Sequence, residues 1–158
     1  MKTLALSLLL ASSVFAAQAP NFQGETTEGK KFSLKDTLKG GKPTLISFWA
    51  TWCQPCLDEL NHLKTRLNKE TAGVNVIAIN VDTAETTSDV KPTMRLYKIS
   101  FPVILDPTHQ IFAKFNSTKA VPFSVLVGAN GEILETYSGY SEEMMKKLES
   151  YNKKANGG

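Results

Sequence analysis

Apolar and polar positions follow two rhythms along this chain. From Thr44 to Ala50 the residues are almost wholly apolar, and Val74 to Val81 repeats the pattern, as expected of central strands covered on both faces. Between them Leu57, Leu60, Leu63 and Leu67 recur every three or four residues, which predicts a helix with one buried stripe from the cysteines to about Lys69. Asn21 to Ser33 reads as a hairpin turning near Glu28-Gly29. Ser33, with Asp36, caps a short helix that ends at Gly40-Gly41. Further on, the pattern predicts a helix over 87–98, a short strand from Phe101 to Leu105 and a helix from His109 to Phe115. Pro122 to Val127 and Glu132 to Tyr137 form a hairpin around Asn130-Gly131. Ser141 opens a closing amphipathic helix carrying Met144, Met145, Leu148 and Tyr151, and Lys153 to Gly158 reads as a frayed tail. Strands alternating with helical stretches are the signature of an α/β sheet.

The N-terminus departs from this rhythm. Lys2 precedes an uncharged, mostly apolar run from Leu4 to Val14 and then small residues around Phe15-Ala16-Ala17-Gln18-Ala19, the layout of a signal peptide. The run is too short to span a bilayer. Cleavage after Ala16 puts Val14 and Ala16 at the small-residue positions. A cut as late as Ala19 would leave Pro20 as the first residue. The domain is then 17–152, followed by a flexible tail at 153–158. The chain reads as exported and soluble, with an uncleaved N-terminal anchor as the alternative. About 140 residues remain, enough for one core without structural disulfides. They carry 17 basic and 15 acidic residues once Lys2 is removed. That balance points away from nucleic acid and from an anionic membrane surface.

Cys53 and Cys56, the only cysteines, lie where the apolar run meets the helix, in Phe48-Trp49-Ala50-Thr51-Trp52-Cys53-Gln54-Pro55-Cys56. Backbone N–H groups and the positive dipole end at a helix start favour thiolate over thiol. A disulfide closing so small a loop restrains the unfolded chain little, so reactivity is the better reason for the pair. Cys53 is placed to attack. Cys56, one turn inside, is placed to resolve the mixed disulfide. Pro55 lacks an N–H and fixes φ, so with Gln54 it tunes the pair without removing a donor that the helix start needs. A half zinc site is the competing reading, but His62 and His109 do not complete a four-ligand spacing. No metal and no cofactor is expected.

Together with Ala19-Pro20-Asn21-Phe22, Val76 to Val81, Phe101 to Asp106, Val121-Pro122-Phe123 and Asn130-Gly131-Glu132-Ile133, the cysteine run resembles the exported TlpA/ResA-type thiol–disulfide oxidoreductases of the thioredoxin superfamily. The resemblance covers nearly everything after the signal segment. It implies a thioredoxin-like fold, a central mixed sheet flanked by helices, with an N-terminal β-hairpin and an inserted αβ segment, the first cysteine exposed and the second covered. It also implies a catalytic carboxylate at Glu59, three residues beyond Cys56, and a cis-proline at Pro122, with the Val121 backbone offered to an extended substrate. Trp52 would form the apolar rim that receives a partner, while Trp49 belongs to the core. Two departures stand out. Ser47 replaces the buried aspartate of thioredoxin proper, and Asn61 replaces a proline that kinks this helix in relatives, which predicts a straighter helix.

The expectation is an exported protein-disulfide reductase, a monomer, acting on exported proteins with disulfides such as apocytochrome c or copper-site proteins. A membrane thiol-transferring reductase is its implied electron donor, and cytochrome c maturation its implied process. C-x-x-C proteins span about −270 to −120 mV, so the motif alone does not fix the direction of electron flow. Two other classes compete. A peroxiredoxin would share Phe101-Pro102 and Asp106-Pro107, yet no Pro-x-x-x-Thr-x-x-Cys setting precedes Cys53. A Cu(I) metallochaperone would use both thiols as soft ligands, but Met94, Met144 and Met145 form no motif beside them.

Overall fold

A computed structural model describes residues 17–67 and 73–156. The predicted signal segment, the helix end expected near Lys69 and the last two glycines lie outside the described residues.

The elements follow the chain as β1 (Gln23–Glu25), β2 (Lys31–Ser33), α1 (Leu34–Leu38), β3 (Thr44–Trp49), α2 (Gln54–Leu67), β4 (Asn75–Asn80), α3 (Val90–Leu96), β5 (Val103–Leu105), α4 (Phe112–Phe115), β6 (Phe123–Val127), β7 (Ile133–Tyr137) and α5 (Glu142–Asn156). Five strands form one mixed sheet in the order β5-β4-β3-β6-β7. β3 pairs parallel with β4 and antiparallel with β6, so its six residues are covered on both sides and both faces, and all are buried. That is why the Thr44–Ala50 run carries so little polarity. The hairpin β1–β2 stands apart as a small sheet, but Thr27 N–H donates to the Val103 carbonyl at 2.9 Å and covers the β5 edge.

Leu57, Leu60, Leu63 and Leu67 are all buried, so the stripe predicted on α2 is the face that packs on the sheet. Burying each such side chain contributes roughly 2 kcal/mol. At the other end of the sheet the chain from Ala17 to Ala19 adds to the β7 side, with Ile133 N–H donating to the Ala17 carbonyl at 2.8 Å and Ala19 N–H to the Gly131 carbonyl at 2.8 Å. Gly131 turns the β6–β7 hairpin at φ 86°, which only glycine adopts without strain.

Several boundaries shift from the sequence reading. The helix expected over 87–98 divides into a 3-10 turn at Thr87–Asp89 and α3, and Lys98 at φ 53° ends it. β5 begins at Val103 rather than Phe101, because Pro102 has no N–H to give a ladder. α4 keeps only Phe112–Phe115 of the helix expected from His109; Asp106 Oδ2 accepts from the N–H groups of Ile111 and Phe112 at 3.0 and 2.8 Å. The tail expected to fray from Lys153 is helical through Asn156. Ser141 Oγ caps the start of α5 by accepting from Met144 N–H at 3.0 Å, and Lys153 and Lys154 complement the dipole at its end. Among the described residues no helix is long and apolar enough to cross a membrane.

Candidate active site

The segment that leaves β3 carries both cysteines. α2 begins at Gln54, so Cys53 stands at its N-cap: its carbonyl accepts from Cys56 N–H at 3.0 Å and Leu57 N–H at 3.2 Å, and its Sγ lies 3.3 Å from Cys56 N. A sulfur placed over unsatisfied helix N–H groups is favoured as an anion. Cys53 and Cys56 form a disulfide here. The implied exposure of Cys53 needs correction for this state, since it is 5% exposed against 1% for Cys56. Cys53 is therefore the outer sulfur of the pair but not an open one.

Glu59 is fully buried, at 0% exposure, in a helix that runs unbroken through Asn61. It lies on the α2 face that carries Cys56. Its Oε1 accepts from Ser47 Oγ of β3 at 3.0 Å and from Ser124 Oγ of β6 at 2.7 Å. Oε2 is buried with no hydrogen-bond partner among the described residues. Burial raises the Glu59 pKa above the usual carboxylate range, and the two hydroxyls pull it partly back. A carboxyl held in this way can keep a proton well above the pH at which a solvated glutamate releases it.

Three more features were not read from the sequence. Ser124, 65 residues from Glu59, gave no local signal in an apolar strand. Asp82, 1% exposed, accepts from Thr51 N–H at 2.8 Å, Thr51 Oγ1 at 2.6 Å and Asn80 Nδ2 at 2.6 Å, which fixes the loop immediately before Trp52 and Cys53. Tyr97 O–H donates weakly to Gln54 Oε1 at 3.4 Å, while Gln54 Nε2 donates to Asp58. An acidic residue just past a strand was the only hint of the Asp82 network.

The register of β3 with β6 pairs Phe48 with Phe123, which sets Pro122 level with Trp49 at the strand end from which the cysteine segment departs. The Val121-Pro122 peptide is cis. Trp52 is 67% exposed beside Cys53, whereas Trp49 is wholly buried. Pro55 lies in the first turn of α2. The histidines lie elsewhere: His62 stacks on Tyr140, and His109 Nε2 is 2.8 Å from the Val81 carbonyl. Among the described residues no group of three or more His, Cys, Asp or Glu side chains could hold a metal ion.

The comparisons with known proteins agree with this arrangement. A family model described as the AhpC/TSA family matches residues 15–151. The chain is 37% identical to a thiol-disulfide oxidoreductase ResA of Bacillus cereus over 138 residues, covering 87% of this chain and 76% of the relative. Among solved structures, a thiol:disulfide interchange protein of the thioredoxin family from Chlorobium tepidum TLS matches with a TM-score of 0.69 at 26% identity, over 89% of this chain and 99% of that one. StoA from Bacillus subtilis matches at 0.66 and 25%, over 83% and 97%. Neither the peroxidase nor the metallochaperone reading is favoured by these relatives. The chain therefore belongs to the AhpC/TSA family and, by its likeness to the ResA proteins, is a thiol–disulfide oxidoreductase of thioredoxin-like fold.

Proposed function

We propose that this oxidoreductase is exported, with residues 1–16 as a signal peptide removed after Ala16, and reduces disulfides in selected exported proteins such as apocytochrome c or copper-site proteins. It works as a monomer, and a membrane thiol-transferring reductase returns it to the dithiol. Cys53 thiolate attacks one sulfur of the partner's disulfide; that bond breaks, a Cys53–partner disulfide forms, and the other partner sulfur leaves with the electron pair. Cys56 then gives its proton to Glu59 Oε2 and attacks Cys53 Sγ. The Cys53–Cys56 bond forms, the partner's second sulfur leaves as thiolate and takes a proton, and two electrons have passed to the partner. Trp52 and the Val121 backbone before Pro122 receive the extended substrate, and Gln54 and Pro55 tune the pair.

The observation that carries this reading is the fully buried Glu59 carboxyl, on the helical face of Cys56 and with one oxygen free of partners among the described residues. A thiol inside a helix turn needs a nearby base to ionise, and a buried carboxyl supplies one matched to the task. The experiment is Cys56→Ala in the native compartment, which traps partners on Cys53 for identification by mass spectrometry. Recovery of one or two haem- or copper-site proteins supports selective reduction. A broad mixture of unrelated exported proteins overturns it in favour of a general folding role.

A further inference from the structure

We infer that Ser47 and Ser124 are positioning residues that hold Glu59 by one oxygen and leave the other as the sole proton port of the dithiol. The inference rests on the proposed role of Glu59 in exchanging protons with Cys56. Ser47 and Ser124 are cross-strand partners in the antiparallel β3–β6 ladder, so their side chains emerge on one face at one level. Both are buried, at 2% and 0% exposure, in strands whose one other polar residue is Thr44 at the far end of β3. A pair of hydroxyls there costs desolvation that two alanines would avoid, and both are spent on the same atom, Glu59 Oε1.

Chemistry follows from that asymmetry. Oε1 already accepts two O–H donors, so a proton added to the carboxyl goes to Oε2, the oxygen with no partner among the described residues. The clamp also fixes the plane of the carboxyl, because two donors from different strands leave its terminal torsion little freedom. Around Glu59 the polar groups are Ser47 from β3 and Ser124 from β6, with the cysteine pair on its own helix; no charged side chain among the described residues shifts it. Among the described residues the two hydroxyls are thus the side chains that favour the carboxylate against burial. They set the pH above which Glu59 can accept the Cys56 proton.

The probe is the mixed disulfide formed on Cys53 by 5,5′-dithiobis(2-nitrobenzoate), whose resolution by Cys56 releases a coloured thiolate. Rates are measured from acidic to alkaline pH for the parent, Ser47→Ala, Ser124→Ala, the double variant, Ser124→Thr and Glu59→Gln. Each serine removed is expected to move the midpoint of the profile upward by about one pH unit, a tenfold slower resolution on the acidic limb, from the loss of one hydrogen bond to a charged group. Ser124→Thr, which keeps the hydroxyl, is expected to retain the parent midpoint. A purely structural role would change unfolding temperature without moving the profile. If Glu59→Gln abolishes this titration while the serine variants leave its midpoint in place, the clamp is wrong and the Glu59 reading stands. If Glu59→Gln titrates like the parent, both fall.

Discussion

Replacing Asp82 by alanine strips the acceptor from the loop that presents Cys53. The carboxylate takes three hydrogen bonds, from Thr51 N–H, Thr51 Oγ1 and Asn80 Nδ2, at 2.8, 2.6 and 2.6 Å. Each buried donor left without a partner costs about 1–3 kcal/mol, which sets an upper bound near 9 kcal/mol. Two corrections reduce it. Thr51 is only partly buried, so water recovers part of its two bonds, and the variant no longer buries a carboxylate that has no ion pair among the described residues. The expected net loss is about 3 kcal/mol. Thr51→Val alone removes one donor and leaves the backbone bond, for about 1 kcal/mol. With Asp82 already alanine, Thr51→Val should cost almost nothing, because the hydroxyl it removes is by then an orphan. Urea unfolding of the four oxidised proteins measures this cycle, and alkylation of the reduced forms reports Cys53 access in parallel. An Asp82→Ala loss below about 1 kcal/mol, or strict additivity with Thr51→Val, would refute the loop-anchoring argument.

Glu59→Gln should gain stability over the parent as pH rises. The folded pKa is raised by burial, so the native state holds the proton more tightly than the unfolded chain; parent stability falls between the unfolded carboxylate value and the raised folded one, and the glutamine variant lacks that slope. Parallel unfolding temperatures across that range would contradict it. Gly73→Ala should cost about 3 kcal/mol or more in thermal unfolding, because a Cβ there would lie 2.0 Å from the Tyr151 carbonyl oxygen, a backbone atom that cannot step aside. A change below about 1 kcal/mol would mean that the α5 backbone yields freely. Trp52→Ala should leave stability within about 0.5 kcal/mol, since the ring is 67% exposed, yet slow exchange with protein disulfides more than with small ones. Equal slowing for both would remove the ring from partner binding.

What could be read in advance was whatever the chain states locally. The apolar Thr44–Ala50 run, the leucine stripe of α2, the Asn130-Gly131 turn and the helix start at the cysteines each carry a short-range signal, and each is present in the fold. Glu59 was legible because it follows Cys56 by three residues, at the position where the resembling family carries an acidic residue. Its partners were not equally so: Ser47 stood out only against the family pattern, and Ser124 is an ordinary residue until β6 is laid antiparallel to β3. Asp82 likewise acquires its meaning from Thr51, 31 residues earlier. Cys53 was read as exposed because sequence reports position along a helix and not how the surrounding chain covers a residue.

The pairing of Ala17–Ala19 with the β6–β7 turn has a practical side. That turn lies beside the start of β3, whose Thr44 pairs with Val127, while the dithiol follows the other end of the same strand. Six extended residues separate the two poles, roughly 20 Å. A bead, dye or fusion partner joined ahead of Ala17 is therefore held on the far side of the sheet, and immobilised protein keeps its sulfur pair facing the incoming cargo.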